Sequence, residues 1–413
     1  MGVISVARPG LLTTVQDAGR KGYEHLGVMV GGWLDDWAAA WANRLVGNPL
    51  DRALLEITLL GPVLTVEEEG WAALAGADLG ALVNGEEWLP GESRWLGAGD
   101  EIRFSGAKRG ARAYLALAGE LGADRIFGSQ STDLVAKFGG IGGRALKVGD
   151  RLTFSGGAAN AAWAAPLDTL QLGPVIRVLP GVRVERFPHD ALERLVSGQF
   201  RVSTHSDRVG LRLEGDAVTD APMASASLSE GMAIGAIEVP PSGELLVLMK
   251  SRGSIGGYPT LAHVIRADWP RLAQLKPGER VQFQLVDLAE AERAMAAERS
   301  MLSLPLYPAD RRPPSGSSAI PGTVWVQSPS WALAYRGTHP GDHPLVHVGD
   351  RVTEGQSLAV LEVMKTFSDL LSPGSGTVLE IRFTDGQEVQ EGAALVVIAL
   401  DQPGKGNKDD TEN

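Results

Sequence analysis

The heptapeptide Gly349-Asp350-Arg351-Val352-Thr353-Glu354-Gly355 returns 37 residues later as Gly386-Gln387-Glu388-Val389-Gln390-Glu391-Gly392, and each copy runs into an apolar stretch. Ser328-Pro329 returns in the same way as Ser372-Pro373, 44 residues on. A repeat this short cannot bury an apolar face by itself, so its two copies must close on each other. Two such halves predict a flattened β-barrel with pseudo-twofold symmetry. The unequal offsets, 44 against 37, put seven extra residues in the first half, within 335–346. Between the halves, Leu358-Ala359-Val360-Leu361 and Leu370-Leu371 read as strands, with Pro373, Gly374 and Gly376 as turn residues beyond. Lys365 is thereby predicted at the exposed tip of a hairpin.

Glycine contributes 52 of 413 residues, above the usual share of about 7%, and much of the excess opens strands. Ala98-Gly99-Asp100-Glu101-Ile102-Arg103-Phe104, Val148-Gly149-Asp150-Arg151-Leu152-Thr153-Phe154 and Pro277-Gly278-Glu279-Arg280-Val281-Gln282-Phe283 repeat one pattern. In each, glycine supplies a turn and alternate residues after it are apolar. Such a chain is mainly β, in barrels or sandwiches. At 44% hydrophobic and 21% charged it is long enough for about two to four packed units.

Helices are predicted over 33–46, where Trp37, Trp41 and Leu45 share one face, and over the alanine- and glutamate-rich 288–299. Residues 301–321, rich in proline and serine, read as a tether. The predicted boundaries are 1–157 and 168–287 for two β-rich halves, 288–321 for helix and linker, 322–400 for the repeat-bearing domain, and 401–413 for a disordered tail.

No segment approaches the roughly 18 uninterrupted apolar residues of a spanning helix, and the first eight residues lack the pattern of a signal peptide. No cysteine is present, which removes disulfides and thiol nucleophiles and makes the cytoplasm the default location. A net charge of −12 without basic clusters argues against nucleic acid as a partner.

Glu362-Val363-Met364-Lys365-Thr366 resembles the biotin-attachment hairpin of carboxyl carrier domains. In that family biotin protein ligase joins biotin to the lysine after a methionine, so the resemblance implies covalent biotin on Lys365 beside Met364. Lipoyl hairpins share the fold and usually carry an acidic residue where Met364 stands. The inserted 335–346 is similar to the protruding thumb of the bacterial acetyl-CoA carboxylase carrier protein. Val363 and Thr366 depart from the commoner alanine and methionine, and Ala332 from a usual glycine. His339, His343 and His347 have helical spacing, but Pro340, Gly341 and Pro344 oppose a helix. A loop without a metal is the expectation.

Positions 3 to 286 carry a second resemblance. Its motifs include Pro9-Gly10-Leu11, Thr14-Val15-Gln16-Asp17-Ala18-Gly19-Arg20, His25-Leu26-Gly27-Val28, Asp35, Asn43, Asn48, Glu56, Gly61-Pro62 and Gly76-Ala77-Asp78. Arg112-Ala113-Tyr114, Gly128-Ser129-Gln130-Ser131-Thr132, Gly139-Gly140-Ile141-Gly142-Gly143-Arg144, Ser206-Asp207-Arg208-Val209-Gly210 and Gly256-Gly257-Tyr258-Pro259 continue it. Together they resemble the allophanate hydrolase subunit 2 family, which includes the C-type subunit of 5-oxoprolinase and the carboxyltransferase half of urea carboxylase. The resemblance implies cyclophilin-like β-barrel domains. It also implies carboxyl transfer from biotin to an amide, lactam or urea-like substrate, beside a partner related to allophanate hydrolase subunit 1 or to the B-type subunit of 5-oxoprolinase. Gly139 to Arg144 lacks the ending of a phosphate-binding loop, and no ATP motif is visible, so ATP and bicarbonate are expected to be used by a separate biotin carboxylase.

Moving a carboxylate onto nitrogen requires groups that hold an anion and a base for the amide proton. Arg20, Arg112, Arg144 and Arg208 are candidates for the first role, and Asp17, Asp35 and His25 for the second. Gln16 and Tyr258 complete the set, and Gln16, Asp17 and Arg20 lead it because they share the densest motif. Where relatives read Asp-x-x-Thr-Thr-Gly-Gly-Tyr, this chain has Ser251-Arg252-Gly253-Ser254-Ile255-Gly256-Gly257-Tyr258, and Glu238 replaces a common glutamine. Those changes suit the rival expectation, a non-catalytic regulatory subunit similar to the kinase-inhibitor antagonists of the family.

Overall fold

All three glycine-led units open strands, Glu101–Phe104, Arg151–Phe154 and Arg280–Leu285, because alternate apolar side chains in each find a buried face. The computed structural model describes the chain except for residues 158, 167, 220–228, 310–322, 329–331, 340, 364–365, 390–392 and 401–413. The predicted linker stretch 310–321 and tail therefore lie outside the described residues. The chain forms two units, Met1–Ala291 with Pro305–Arg312, and Glu292–Leu304 with Pro313–Asn413.

The first unit begins with two sheets. One runs Arg151–Phe154, Gly2–Arg8, Val63–Glu68, Glu101–Phe104, Ala81–Val83, Glu86–Glu87. The other runs Leu12–Gln16, Leu54–Thr58, Arg109–Leu117, Gly70–Asp78, Glu92–Leu96, Trp163–Ala164, Tyr307–Pro308. Ile4, Leu64, Ile102 and Leu152 of the first sheet share a core with Leu55, Leu74 and Leu115 of the second. The helix predicted over 33–46 spans Asp36–Leu45, with Trp37, Trp41 and Leu45 buried. It starts at Asp36 because the Asp35 carboxylate accepts the Ala38 amide hydrogen at 2.9 Å, satisfying a donor that the first turn leaves open.

The rest of the unit is a closed seven-stranded barrel, in the order Val175–Pro180, Thr260–Val264, Ala236–Glu238, Leu245–Leu248, Gly210–Gly215, Phe200–Val202, Arg280–Leu285. It closes through a parallel pairing of Val175–Pro180 with Arg280–Leu285. Ile176, Phe200, Leu213, Ile237, Val247 and Phe283 fill it. Leu34, from the N-terminal half, joins that same core and is 1% exposed.

The second unit has eight strands in chain order, Thr323–Gln327, Ala332–Tyr335, Arg351–Val352, Ser357–Val363, Thr366–Leu371, Gly376–Ile381, Gln387–Val389 and Ala394–Leu400. One sheet holds the first, eighth, sixth and third, and the other the fifth, fourth, second and seventh. Advancing each strand by four positions converts one order into the other, which is the pseudo-twofold that the repeat predicts. Gly349 and Gly386 occupy matching turns at φ 93° and 73°, a region that side chains avoid. Ala332, at a position where glycine is usual, is fully buried in this core.

The Phe154 ring lies against Gly2 and Gly70, where an added methyl would fall inside its van der Waals envelope. Gly70→Ala is expected to destabilise the first unit by about 1–3 kcal/mol. Urea denaturation would read this, and Phe154→Leu in the same background should recover part of the loss.

Candidate functional site

The sequence candidates separate into one loop cluster, one buried frame and three isolated positions. In the cluster, Asp17 follows the strand Leu12–Gln16 and is closed off by residues 129–131. Its Oδ1 accepts from the Ser129 and Ser131 hydroxyls, each at 2.6 Å, and from the Gly19 amide at 2.9 Å. Its Oδ2 accepts from the Gln130 amide at 2.6 Å. Gln16, fully buried, donates to Thr14 Oγ1 at 3.0 Å. Arg20, 1% exposed, donates to the Ser131 carbonyl and lies 4.6 Å over the Phe138 ring. Burial pulls its guanidinium below the ordinary arginine value, while Asp133 and Asp17 oppose that.

The frame joins the two halves of the first unit. Arg208, in the barrel half, pairs with the Glu56 carboxylate and also donates to the Gly32 carbonyl. Glu56 Oε2 accepts from the Leu34 amide at 2.8 Å and the Tyr114 hydroxyl at 2.9 Å. The Tyr114 hydroxyl in turn accepts from the Asp35 amide at 2.8 Å. Gln274 Nε2 donates to Asp35 Oδ2 at 2.6 Å, and Gln274 Oε1 accepts the amides of Ala111 and Arg112 at 3.0 and 2.9 Å. Arg112 donates from its side chain to the Ala273 carbonyl. Burial alone would raise the Glu56 carboxyl. Arg208 and Arg112, with the Leu34 and Tyr114 donors, outweigh it and hold the acid below the ordinary glutamate value.

The remaining candidates stand apart. Arg144 is bidentate to Asp150 at 2.7 and 2.8 Å. His25 is exposed on the single turn Glu24–Leu26, and Tyr258 is 45% exposed. Sequence reasoning missed a triad in which Asp36 binds the buried Lys250 at 3.2 Å and the partly exposed Arg266. Burial pulls the Lys250 ammonium down, against Asp36, and the Lys250 carbonyl accepts the Gly31 amide at 3.0 Å. Its one local signal is a lysine ending the apolar run 245–249. Gln274 and His263 were missed as well.

The altered segment 251–256 pairs with residues that line a cleft of about 230 Å³. Ile255–Gly256 pairs with Glu230–Gly231, and Arg252 Nε donates to the Met232 carbonyl at 2.8 Å. Arg183, Arg186, Glu230, Met232, Thr260 and His263 line this cleft. A larger, open depression of about 410 Å³ over Phe200, Arg201, Glu214 and Arg280 lies away from these groups.

In the second unit, the strands Ser357–Val363 and Thr366–Leu371 stay in register up to the pair Val363↔Thr366. Met364 and Lys365, the two residues between those partners, lie outside the described residues. The inserted segment lies over the same strands. Tyr335 donates to Glu362 Oε2 at 2.8 Å, and the Tyr335 and His339 rings lie 6.3 and 6.4 Å from Phe367. His339 and His347 face Asp342 and Asp350 respectively, each three residues on.

A two-sheet half and a closed barrel, in one chain with a repeat-built carrier unit, define a carboxyltransferase with a biotinyl-type domain. Residues 26–285 match the carboxyltransferase domain, subdomain A and B, and residues 325–398 match the biotin-requiring enzyme domain. The chain belongs to the carboxyltransferase family. It is 36% identical to the C-type subunit of 5-oxoprolinase from Escherichia coli over 71% of this chain and 94% of that protein. The biotin carboxyl carrier protein of acetyl-CoA carboxylase 2 of Arabidopsis thaliana is 38% identical over 18% of this chain and 29% of its own length. The solved urea carboxylase of Kluyveromyces lactis shares the fold, with a TM-score of 0.67 at 24% identity over 97% of this chain. The chain spans 37% of that structure's length.

Arg208→Met would leave the Glu56 carboxylate buried without its principal cation and is expected to cost about 3–5 kcal/mol in urea denaturation. The folded Glu56 value is depressed, so its stabilisation is present above the ordinary glutamate value and lost as pH falls through the lower folded one. Glu56→Gln, less stable at neutral pH, should therefore show a shallower acid limb than wild type.

Proposed function

We propose that this chain is the carboxyltransferase subunit of a biotin-dependent system, acting in the cytoplasm on an amide, lactam or urea-like acceptor and carrying its own donor arm. The observation that carries the proposal is the presence of a carboxyltransferase domain and a biotin-requiring domain in one chain. The strands that bracket Met364 and Lys365 in register fit a lysine presented for modification by biotin protein ligase. Biotin, once attached there, supplies a transferable carboxylate. A separate biotin carboxylase, using ATP and bicarbonate, charges it. The similarity to the C-type subunit of 5-oxoprolinase supports a companion of the B type, and the whole assembly rather than this chain alone is the active species.

Within the first unit we assign Asp35, Arg112 and Arg208 to the frame that fixes the two halves in register. Asp17 accepts four hydrogen bonds. With its oxygens taken up by those donors, it anchors the 129–131 loop rather than serving as a base. Arg20 and Gln16 belong to that anchor and Arg144 to its own ion pair. His25 and Tyr258, both exposed, are the candidates free to meet a substrate. Joining the acceptor domain and the donor arm in one chain raises the effective concentration of one at the other.

Intact-mass measurement of protein from its native host should show a biotin-sized increment that is absent from Lys365→Ala; an unmodified wild type would sink the carrier assignment. Reconstitution with a biotin carboxylase, ATP and bicarbonate should then discharge the carboxylated arm to 5-oxoproline, urea or another amide. Charging without discharge to any acceptor would favour the regulatory reading instead.

A further inference from the structure

The short turn Val184–Arg186 brings Arg183, just before it, and Arg186 to the cleft of about 230 Å³. The turn is fixed there because Phe187, next in the chain, is buried in the barrel core, and because the Arg186 amide donates to the Arg183 carbonyl at 3.1 Å. Arg183 pairs with Glu230 at 3.3 Å, whereas among the described residues the Arg186 side chain makes no hydrogen bond or ion pair. His263 reaches the cleft from the strand Thr260–Val264, whose Ala262 and Val264 turn into the barrel core and leave His263 outside it. Among the described residues its ring and the Thr260 hydroxyl also lack a hydrogen-bond partner.

The buried residues of this lining are apolar. Met232 is 7% exposed, Ala236 is 1% exposed and Pro259 is buried as well. The altered segment holds both backbone groups of Met232: its amide donates to the Ser254 carbonyl at 3.0 Å, and its carbonyl accepts from Arg252 Nε at 2.8 Å. A methyl group on Gly256 would meet Met232 Sδ at 2.9 Å, so that glycine leaves the thioether its place. None of residues 251–256 lines the cleft. They act on it by setting where an apolar residue sits.

Buried apolar residues with a few polar groups around them are the general form of a small-molecule site, and a volume of about 230 Å³ falls below the roughly 300 Å³ at which drug-sized sites begin. The charges narrow the ligand further. The lining carries two guanidinium groups and one carboxylate, a surplus of one positive charge. His263, pulled below the ordinary histidine value by burial with Glu230 opposing, adds no charge at neutral pH. We propose that this cleft binds the acceptor and selects a small monocarboxylate bearing an amide or lactam N–H, with Arg186 holding the carboxylate and the hydrocarbon part lying on Met232 and Ala236. This rests on the carboxyltransferase reading above and narrows its acceptor. A guanidinium meets a carboxylate through two parallel N–H bonds. Urea has neither a charge nor hydrocarbon, so it leaves both Arg186 and the apolar residues unmatched.

Calorimetric titration of the full-length chain with 5-oxoproline, with its carboxamide and with urea tests this apart from any carboxyl transfer. The acid should bind wild type, Arg186→Met should weaken it by about 10–100-fold, and Arg186→Lys, which keeps the charge without the fork, should weaken it less. The neutral carboxamide should bind wild type more weakly than the acid and should not distinguish wild type from Arg186→Met. Since the Arg186 side chain has no partner to lose, the variant keeps its fold. No saturable heat from the acid, equal affinity for acid and carboxamide, an acid affinity unmoved by Arg186→Met, or urea binding as tightly as the acid each overturns the assignment. In the reconstituted system Arg186→Met should raise KM for 5-oxoproline with kcat unchanged, the mark of a lost binding contact. Failure of the carrier reading would appear instead in the mass of the wild type, and failure of the transferase reading as charging without discharge; the calorimetry depends on neither.

Discussion

The first unit depends on one buried charge pair. Glu56 belongs to a strand of the N-terminal half and Arg208 to the barrel half, and they meet where neither is more than 7% exposed. A pair at this depth is weak as net stabilisation but exacting as a constraint, because removing either partner leaves a bare charge in a poor solvent. Every further contact of the frame serves that constraint. Leu34 gives its amide to Glu56 while its side chain sits in the core of the closed barrel, so one residue is held by the polar joint and the apolar core at once. Tyr114, Asp35 and Gln274 extend the joint to the helix Asp36–Leu45 and the strand Arg109–Leu117.

A rigid joint of this kind lets the surfaces beside it stay open. The 251–256 segment lies immediately after the Lys250–Asp36–Arg266 triad, which ties its start to the N-terminal half. From there Arg252 and the short pairing with Glu230–Gly231 shape the cleft. The residues by which this chain departs from the family pattern thus follow directly on that triad.

The fold was legible because its signals are local. Glycine turns, alternating strands and the 37-residue repeat are read within a few positions, and the capped helix at 36–45 begins one turn inside the predicted window. The site was legible only in part. Arg208 meets Glu56 across 152 residues and Arg112 meets Gln274 across 162, and no periodicity in a sequence encodes such a meeting. The arginines and aspartates marked as substrate groups thus include several that fold into the frame, while Gln274, Lys250 and His263 gave little sign of themselves. Glu238 was visible as an unusual residue, but its burial depends on what surrounds it in three dimensions. Lys365 rests on the opposite kind of information: its neighbours in sequence and the match to the biotin-requiring domain.

The exchange of strands between the halves of the second unit also fixes when that unit can form on the ribosome. Its first strand, Thr323–Gln327, has a single neighbour, and that neighbour is the last strand, Ala394–Leu400. Four of the six strand pairings join one half to the other. The carrier therefore cannot close piece by piece as it is synthesised, and waits for the final strand to leave the exit tunnel. By then the whole of the larger unit has already emerged and has had the time of translation to settle its charge pair.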